Sequence, residues 1–328
     1  IGKKDSLPEL IDKCIDKNLF DYQIVYTEYA GHATKLTQQA VKDKFTIVVA
    51  VGGDGTVNEI GKALINTDTA LGIIPVGSGN GLARHLDIPV NVKGSLQILN
   101  QACIHKLDYG IINDMPFFCT CGMGFDAFIS MKFAEAGKRG VITYVQKVLE
   151  EGLKYEPETY DIEDNEGTHH YKAFLVSVAN ASQYGNNAYI APQASMSDGL
   201  LDIIIMEPFD ILDAPQVAIE MFNKTLNKSS KIKTFKAKHI HIHRKKEGVI
   251  HFDGDPIMAG NDVDIKIVPR GIKVVVNPKE HKDKRKPNMI QTSFSQLFSN
   301  IDLIRSNLNK QGRKFQALNK TILRKLNI

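Results

Sequence analysis

Hydrophobic positions fall into two textures along the chain. Over the first hundred residues, continuous apolar runs alternate with stretches of helical spacing. Residues 45–51 and 70–76 are apolar and rich in β-branched side chains, as strands buried on both faces require. Residues 8–17, 33–42, 56–65, 82–85 and 93–101 carry helical spacing, with Val57, Ile60 and Leu64 marking one face of the third. Residues 23–26 predict one more short strand. This alternation predicts an α/β, Rossmann-like nucleotide-binding domain over residues 1–108, on a doubly wound, mostly parallel sheet. After Asp108 the period changes to that of strands. Such segments follow one another at 117–121, 160–163, 171–179, 200–206, 238–243, 249–252, 263–268 and 271–276, with turn signals at 164–167, 198–199 and 269–271. One helical stretch, 211–226, interrupts them. The prediction is a β-sandwich second domain over residues 109–277. A Lys/Arg-rich linker and long helical spacing from 294 to 326 make residues 278–328 a basic helical tail.

Composition narrows the class. The 328 residues are 43% hydrophobic and 24% charged, which excludes collagen, a wholly disordered chain and a small disulfide scaffold. No apolar run approaches the ~18–20 residues of a membrane span. The first residues are polar, so no signal peptide is predicted, and Ile1 in place of Met points to a trimmed start. Cys14, Cys103, Cys119 and Cys121 are scattered, mostly within apolar runs, and are expected as reduced thiols of a cytoplasmic protein. Lys and Arg number 41 against 37 Asp and Glu, but residues 279–328 hold twelve against three, leaving 29 against 34 elsewhere. An acidic body therefore carries a basic tail. Its Phe294, Leu297, Phe298, Ile301, Ile304 and Leu308 suit a helix packed on its own protein or laid on an anionic membrane surface. Residues 224–246 hold nine cations and no acid, yet only Phe235 interleaves them, so no nucleic-acid partner is expected. His239, His241 and His243 share one strand face, expected as a solvated basic strand rather than a metal site.

Candidate chemistry lies in two strand-to-helix turns. The first reads Gly52-Gly53-Asp54-Gly55-Thr56-Val57-Asn58. Glycines let backbone approach a phosphate, and a helix start offers free N–H groups and partial positive charge. Asp54 would repel phosphate unless it faced a hydroxyl or a metal ion, which suggests Mg²⁺-linked nucleotide binding. The second, Gly77-Ser78-Gly79-Asn80-Gly81, again follows an apolar strand and could bring Ser78 to a phosphate. Adjacent turns of this kind form one crevice at the carboxyl edge of a sheet. Neither fits G-x-G-x-x-G or the P-loop, and Val76 excludes a G-x-S-x-G nucleophile elbow.

Taken together, these turns resemble the diacylglycerol kinase catalytic domain family, which includes bacterial soluble lipid kinases and sphingosine and ceramide kinases, with NAD kinases as distant relatives. Thr27 with Gly31-His32-Ala33, Asp108, the segment Ala194–Asp202 and Phe252-Asp253-Gly254-Asp255 resemble further family segments in order. The resemblance implies a nucleotide-binding α/β domain plus β-sandwich, with ATP in the cleft between them. Thr27, Gly52, Gly53, Asp54, Gly55, Thr56, Val57, Asn58 and Ser78 would contact ATP, and Asp54 would join the Mg²⁺–phosphate network. Ser195 and Leu200 through carbonyls, and Asp198 through its carboxylate, would hold a second, structural Mg²⁺. Asp255, with Asp253, would take the proton of a lipid hydroxyl, and Asp108 would lie on the substrate side. The implied activity is Mg²⁺-dependent phosphorylation of a diacylglycerol-like or sphingoid-like lipid, by a cytoplasmic enzyme visiting the inner membrane surface; a homodimer is left open. Three departures stand out. The family's first strand and Asn-Pro loop are absent before Ile1, Gly81 ends a turn where many members carry Asp, and Asp255 replaces Glu. They keep two alternatives open: a kinase of a soluble hydroxyl compound such as NAD, and an inactive nucleotide-binding regulator.

Overall fold

Apolar strands that pair in parallel form the first core. The computed structural model describes residues 6–136, 155–209 and 213–278. Helix α1 (Leu7–Cys14) and helix α2 (His32–Lys42) precede β1 (Ile47–Gly52), α3 (Asp54–Leu64), β2 (Ala70–Pro75), α4 (Gly81–His85) and α5 (Val92–Leu99). All six residues of β2 are buried. Leu71, Ile73 and Ile74 are each at most 2% exposed, and burial of this kind is worth ~1.5–3 kcal/mol per side chain. β1 pairs with β2 in parallel, Ile47 opposite Ala70 through Gly52 opposite Pro75, so both strands end at the same edge.

The second half is antiparallel. β3 (Ile104–Ile112), β4 (Met115–Phe117), β5 (Thr120–Gly124) and α6 (Phe125–Ala136) lead to β6 (Glu158–Asp164), β7 (Gly167–Ala173), β8 (Leu175–Ala179) and β9 (Leu201–Met206). Then come α7 (Ala214–Phe222), β10 (Ile232–Ala237), β11 (His239–Arg244), β12 (Gly248–Phe252), β13 (Asp255–Ala259) and β14 (Asp262–Val275). One sheet runs β10-β9-β8-β5-β12-β13. The other runs β1-β2-β14-β11-β6-β7, with β3 also paired to β14 and β4 to β3. Their facing sides bury Phe117, Met123, Tyr160, Ile162, Val176, Ile242 and Ile265 in one cluster.

Two strands serve both halves. The far end of β14 pairs in parallel with β2 at Val274 and Leu71, while its near end pairs with β11. β3 lies antiparallel along β14 throughout, with an irregularity between Val268 and Ile272. The nucleotide-side sheet is thus mixed rather than mostly parallel. The three residues expected as a turn, Pro269-Arg270-Gly271, form this bulge inside one strand. Three further expectations change. Residues 23–26 form no strand. The run 171–179 is divided at Phe174 between β7 and β8, which belong to different sheets. The structure adds β3, β10, β13 and α6, which the hydrophobic pattern does not predict. The helical tail lies outside the described residues, as does the start of the expected helix 211–226.

Candidate active site

The two glycine turns meet backbone to backbone. Added to Gly77, a Cβ would lie 2.4 Å from Gly53 Cα, and one on Gly53 would lie 3.1 Å from Gly77 Cα. The Asp54 carboxylate closes the junction. Its Oδ1 accepts the Gly81 N–H at 2.7 Å and its Oδ2 accepts the Asn80 N–H at 2.9 Å. Asn80 has φ 52°, in the left-handed region that Asn tolerates, and its side chain bonds both the N–H and the carbonyl of Gly77. A Cβ on Gly79 would come within 2.6 Å of Asp54 Oδ2, so the carboxylate lies against bare backbone. At Gly55, in the first turn of α3, an added Cβ would meet nothing within 4 Å. That open space at a helix start suits an approaching phosphate.

The sandwich clasps the second turn. Asn186 N–H and Arg84 Nε both donate to the Gly79 carbonyl at 3.0 Å, and Gly185, φ +119°, packs on Gly79. His85 Nδ1 accepts the Ser182 N–H at 3.1 Å, and burial pushes its pKa down to about 4. Asn180 is fully buried, and its amide donates to the carbonyls of Asp108 and Phe118. None of these contacts was legible beforehand, because loop 180–187 carries no motif.

The late acids divide their duties. Asp253, φ 51°, accepts N–H bonds from Phe118 at 2.7 Å, Cys119 at 2.6 Å and Thr120 at 3.1 Å. Burial raises its pKa to about 6 against the pull of those donors and of Lys62. Lys62 reaches over the Phe252 ring at 4.6 Å from α3, the helix that Asp54 begins. On that helix Gly61 leaves room for Phe118, which a Cβ would strike at 2.7 Å. Asp255 pairs with Phe252 through its backbone at the start of β13, and its exposed carboxylate has no hydrogen-bond or ion-pair partner among the described residues. Between the two regions lies Cys119. Its N–H bonds Asp253, its Sγ lies 3.5 Å from where a Cβ on Gly81 would stand, and the Gly81 N–H bonds Asp54; burial, with both carboxylates adding, pushes its thiol up. Early and late aspartates therefore converge on one interdomain locus.

Other expected site residues are placed differently. Val57, 6% exposed, belongs to the α/β core, and its N–H bonds the Gly53 carbonyl; Asn58 is equally buried. Thr27 and Ser78 are exposed and make no hydrogen bond among the described residues. Gly52 packs on Thr56, whose Oγ1 an added Cβ would meet at 2.4 Å. Asp108 is 1% exposed, and its carboxylate accepts the N–H groups of Gly199 at 2.8 Å and Arg270 at 2.7 Å. It clips β3 to the 195–200 turn and to the β14 bulge, which leaves it no face for a substrate. Asp198 bonds the Leu200 N–H at 3.1 Å and Lys236 Nζ at 2.7 Å, while the Ser195 hydroxyl meets that of Ser197. A lysine ammonium therefore stands where the expected structural Mg²⁺ would need the carboxylate, and this donor set does not fit the metal. On β11, His239 meets Asp264 of β14, while His241 and His243 share Asp262. No group of three ligand-type side chains that could hold a metal occurs among the described residues.

Comparison with known proteins bears on the family and the fold. The diacylglycerol kinase catalytic domain matches residues 2–112, and the YegS C-terminal NAD kinase beta sandwich-like domain matches residues 120–276. The chain belongs to the diacylglycerol kinase catalytic domain family. A diacylglycerol kinase of Bacillus subtilis is 27% identical to this family member over 267 residues, covering 79% of the chain and 86% of the relative. An uncharacterized protein of Synechocystis sp. is 30% identical over 267 residues, 79% of this chain, and the chain spans 59% of that relative's length. The crystal structure of a diacylglycerol kinase from Bacillus anthracis shares the fold, with TM-score 0.65 and 24% identity over 82% of this chain and 92% of that one. No helix among the described residues is long and apolar enough to cross a membrane.

Proposed function

We propose that this family member is an ATP-dependent lipid kinase that transfers the γ-phosphoryl group to the hydroxyl of a diacylglycerol-like or sphingoid-like lipid, with Mg²⁺. The observation that supports the reading is the chain of contacts from Asp253 through the Cys119 N–H and Sγ to Gly81, whose N–H bonds Asp54, so that the glycine turns and the Asp253–Asp255 hairpin adjoin one locus. Phosphates would lie at the start of α3, over the space left by Gly55. Each Asp54 oxygen accepts one N–H and keeps a further lone pair, so this carboxylate fits a role in holding Mg²⁺, which would neutralise charge on the phosphates. The acceptor oxygen forms the new bond to the γ-phosphorus, the bond from that phosphorus to the β-phosphate oxygen breaks, and ADP leaves. Asp255, exposed and unpartnered, takes the hydroxyl proton. Asp253 acts through the 118–120 turn and is a positioning residue. The same reading has the protein cytoplasmic, meeting its lipid peripherally at the inner membrane surface, and leaves a homodimer open.

The test is transfer from radiolabelled ATP to a panel of diacylglycerol, a sphingoid base and NAD, with Mg²⁺ withheld in a parallel arm. Label in a lipid only when Mg²⁺ is present is the expected result. Label in NAD alone, or ATP binding with no transfer to any acceptor, would replace this reading with the soluble-substrate or regulator alternative.

A further inference from the structure

The turn that leads into β9 holds two carboxylates and one ammonium. Lys236 on β10 stands directly opposite Asp202 on β9 in the strand register. Its Nζ donates to Asp198 Oδ2 at 2.7 Å and lies 3.2 Å from Asp202 Oδ2. That Asp202 oxygen is buried and accepts no hydrogen bond, so the ammonium is the positive charge it faces. Lys236 and Asp198 are each about one-third exposed, and Asp202 is 13% exposed at its side chain. The second Asp198 oxygen is held by the Leu200 N–H, which shapes the turn, and the Asp108 clip bonds the neighbouring Gly199 N–H. A divalent ion here would have to share Asp198 with the ammonium that already lies 2.7 Å from one of its oxygens, and two cations on one carboxylate repel in a partly desolvated site.

We infer that the Lys236 ammonium is this chain's built-in substitute for a divalent cation at the 195–202 turn, neutralising Asp198 and Asp202 from the neighbouring strand. The strand pairing delivers the charge at fixed register, so folding alone supplies the cation. The edge of the sandwich then needs no bound metal. The inference concerns this turn only and does not rest on the kinase reading.

Thermal denaturation of the nucleotide-free protein tests it, in EDTA and in millimolar MgCl₂ or CaCl₂. Wild-type protein should unfold at the same midpoint, within about a degree, in all three. Lys236→Met leaves two carboxylates facing each other and should unfold several degrees lower in EDTA. Recovery of that loss in MgCl₂, with wild type unchanged, would be the strongest support. Lys236→Arg should hold close to wild type, since it keeps the charge. A wild-type midpoint that rises with Mg²⁺, and no longer does so in Asp198→Asn, would overturn the inference, as would Lys236→Met matching wild type in EDTA. An equal rise in wild type and Asp198→Asn would place the metal elsewhere and leave the ammonium in its role. If Lys236→Met does not fold, the comparison of wild type with Asp198→Asn decides alone.

Discussion

At the glycine turns, the carboxylate of Asp54 is turned onto backbone, bonding the N–H groups of Asn80 and Gly81 so that two loops behave as one. At the 252–255 hairpin, two acids two residues apart part company. Asp253 is bound by three N–H groups of residues 118–120, while Asp255 is exposed and unpartnered. The same side-chain chemistry is structural in one case and free in the other. What separates them is the count of backbone donors within reach. An anion fixed by several N–H groups organises the turn around it, and one left in solvent keeps its lone pairs free for a substrate. By this measure Asp108 joins Asp54 and Asp253, Asp198 with one N–H and a lysine lies between, and Asp255 stands apart.

The hairpin is where the contrast can be broken most directly. Asp255→Ala should lower turnover by ~10²–10⁴-fold, the usual worth of a general base, while urea unfolding changes by no more than ~0.5 kcal/mol. Asp253→Ala should do the reverse first. Three N–H donors lose a charged acceptor, which should cost on the order of 3 kcal/mol of stability, with activity falling as a consequence. Asp253→Asn, which keeps one acceptor oxygen, should recover part of that stability. Equal stability losses in Asp253→Ala and Asp255→Ala would show that the structural and free roles are not divided as described.

How far these roles could be read from the chain differs by element. β2 was legible because a strand covered on both faces must be continuously apolar; β1 carries the same apolar run, but as the edge strand it buries only Ala50 and leaves Val51 exposed, so the expected burial on both faces fails there. Residues 23–26 carry the same composition, but Ile24, Val25 and Tyr26 are 40–68% exposed and no strand pairs with them among the described residues. Propensity cannot supply the missing neighbour. β3 was missed because Ile104, His105 and Lys106 are exposed, which hides its period. The Pro269–Gly271 bulge looked like a turn because its cause, the Asp108 carboxylate bonding Arg270 N–H, lies more than 160 residues away. The site motifs were visible, but which of their acids bind backbone was not, since the donors come from loops 77–81, 118–120 and 199 and from bulge residue 270. Lys62, Asn180 and Lys236 carried no local signal at all.

Within the glycine region a second comparison sharpens the first. Gly77 and Gly55 are both motif glycines, yet one is enclosed and the other open. Gly77→Ala would put a Cβ 2.4 Å from Gly53 Cα, where only backbone can yield, and should cost on the order of 1–3 kcal/mol while weakening ATP binding. Gly55→Ala meets no atom and lies in a helix, so it should raise stability by ~0.5–1 kcal/mol. If the space over Gly55 receives phosphate, the same change should raise the ATP dissociation constant, by roughly tenfold for a loss of ~1.4 kcal/mol. Calorimetric titration of both variants separates a ligand-facing glycine from a packing one. A Gly55→Ala protein that is more stable and binds ATP as wild type does would move the phosphates off α3.

The smallest effect is one of pH, and its sign distinguishes the two sides of the cleft. His85, on the glycine side, has its pKa lowered from 6.5 to about 4 by burial, so the folded protein keeps it neutral and accepting the Ser182 N–H. Its contribution is fully present above pH 6.5 and is lost as pH falls toward 4, because the unfolded chain then binds the extra proton. Asp253, on the hairpin side, has its pKa raised from 3.8 to about 6. Its contribution is present below pH 3.8 and is lost as pH rises through 6. The windows overlap between pH 4 and 6, where the two slopes oppose, so a flat wild-type profile is uninformative. His85→Gln removes the first slope alone. The urea midpoint of the variant should therefore fall less than that of wild type between pH 6.5 and 4.5, whereas Asp253→Asn should fall more. Parallel profiles in wild type and His85→Gln would mean that the imidazole is already hydrated in the folded state, and that loop 180–187 clasps the second glycine turn less tightly than its hydrogen bonds imply.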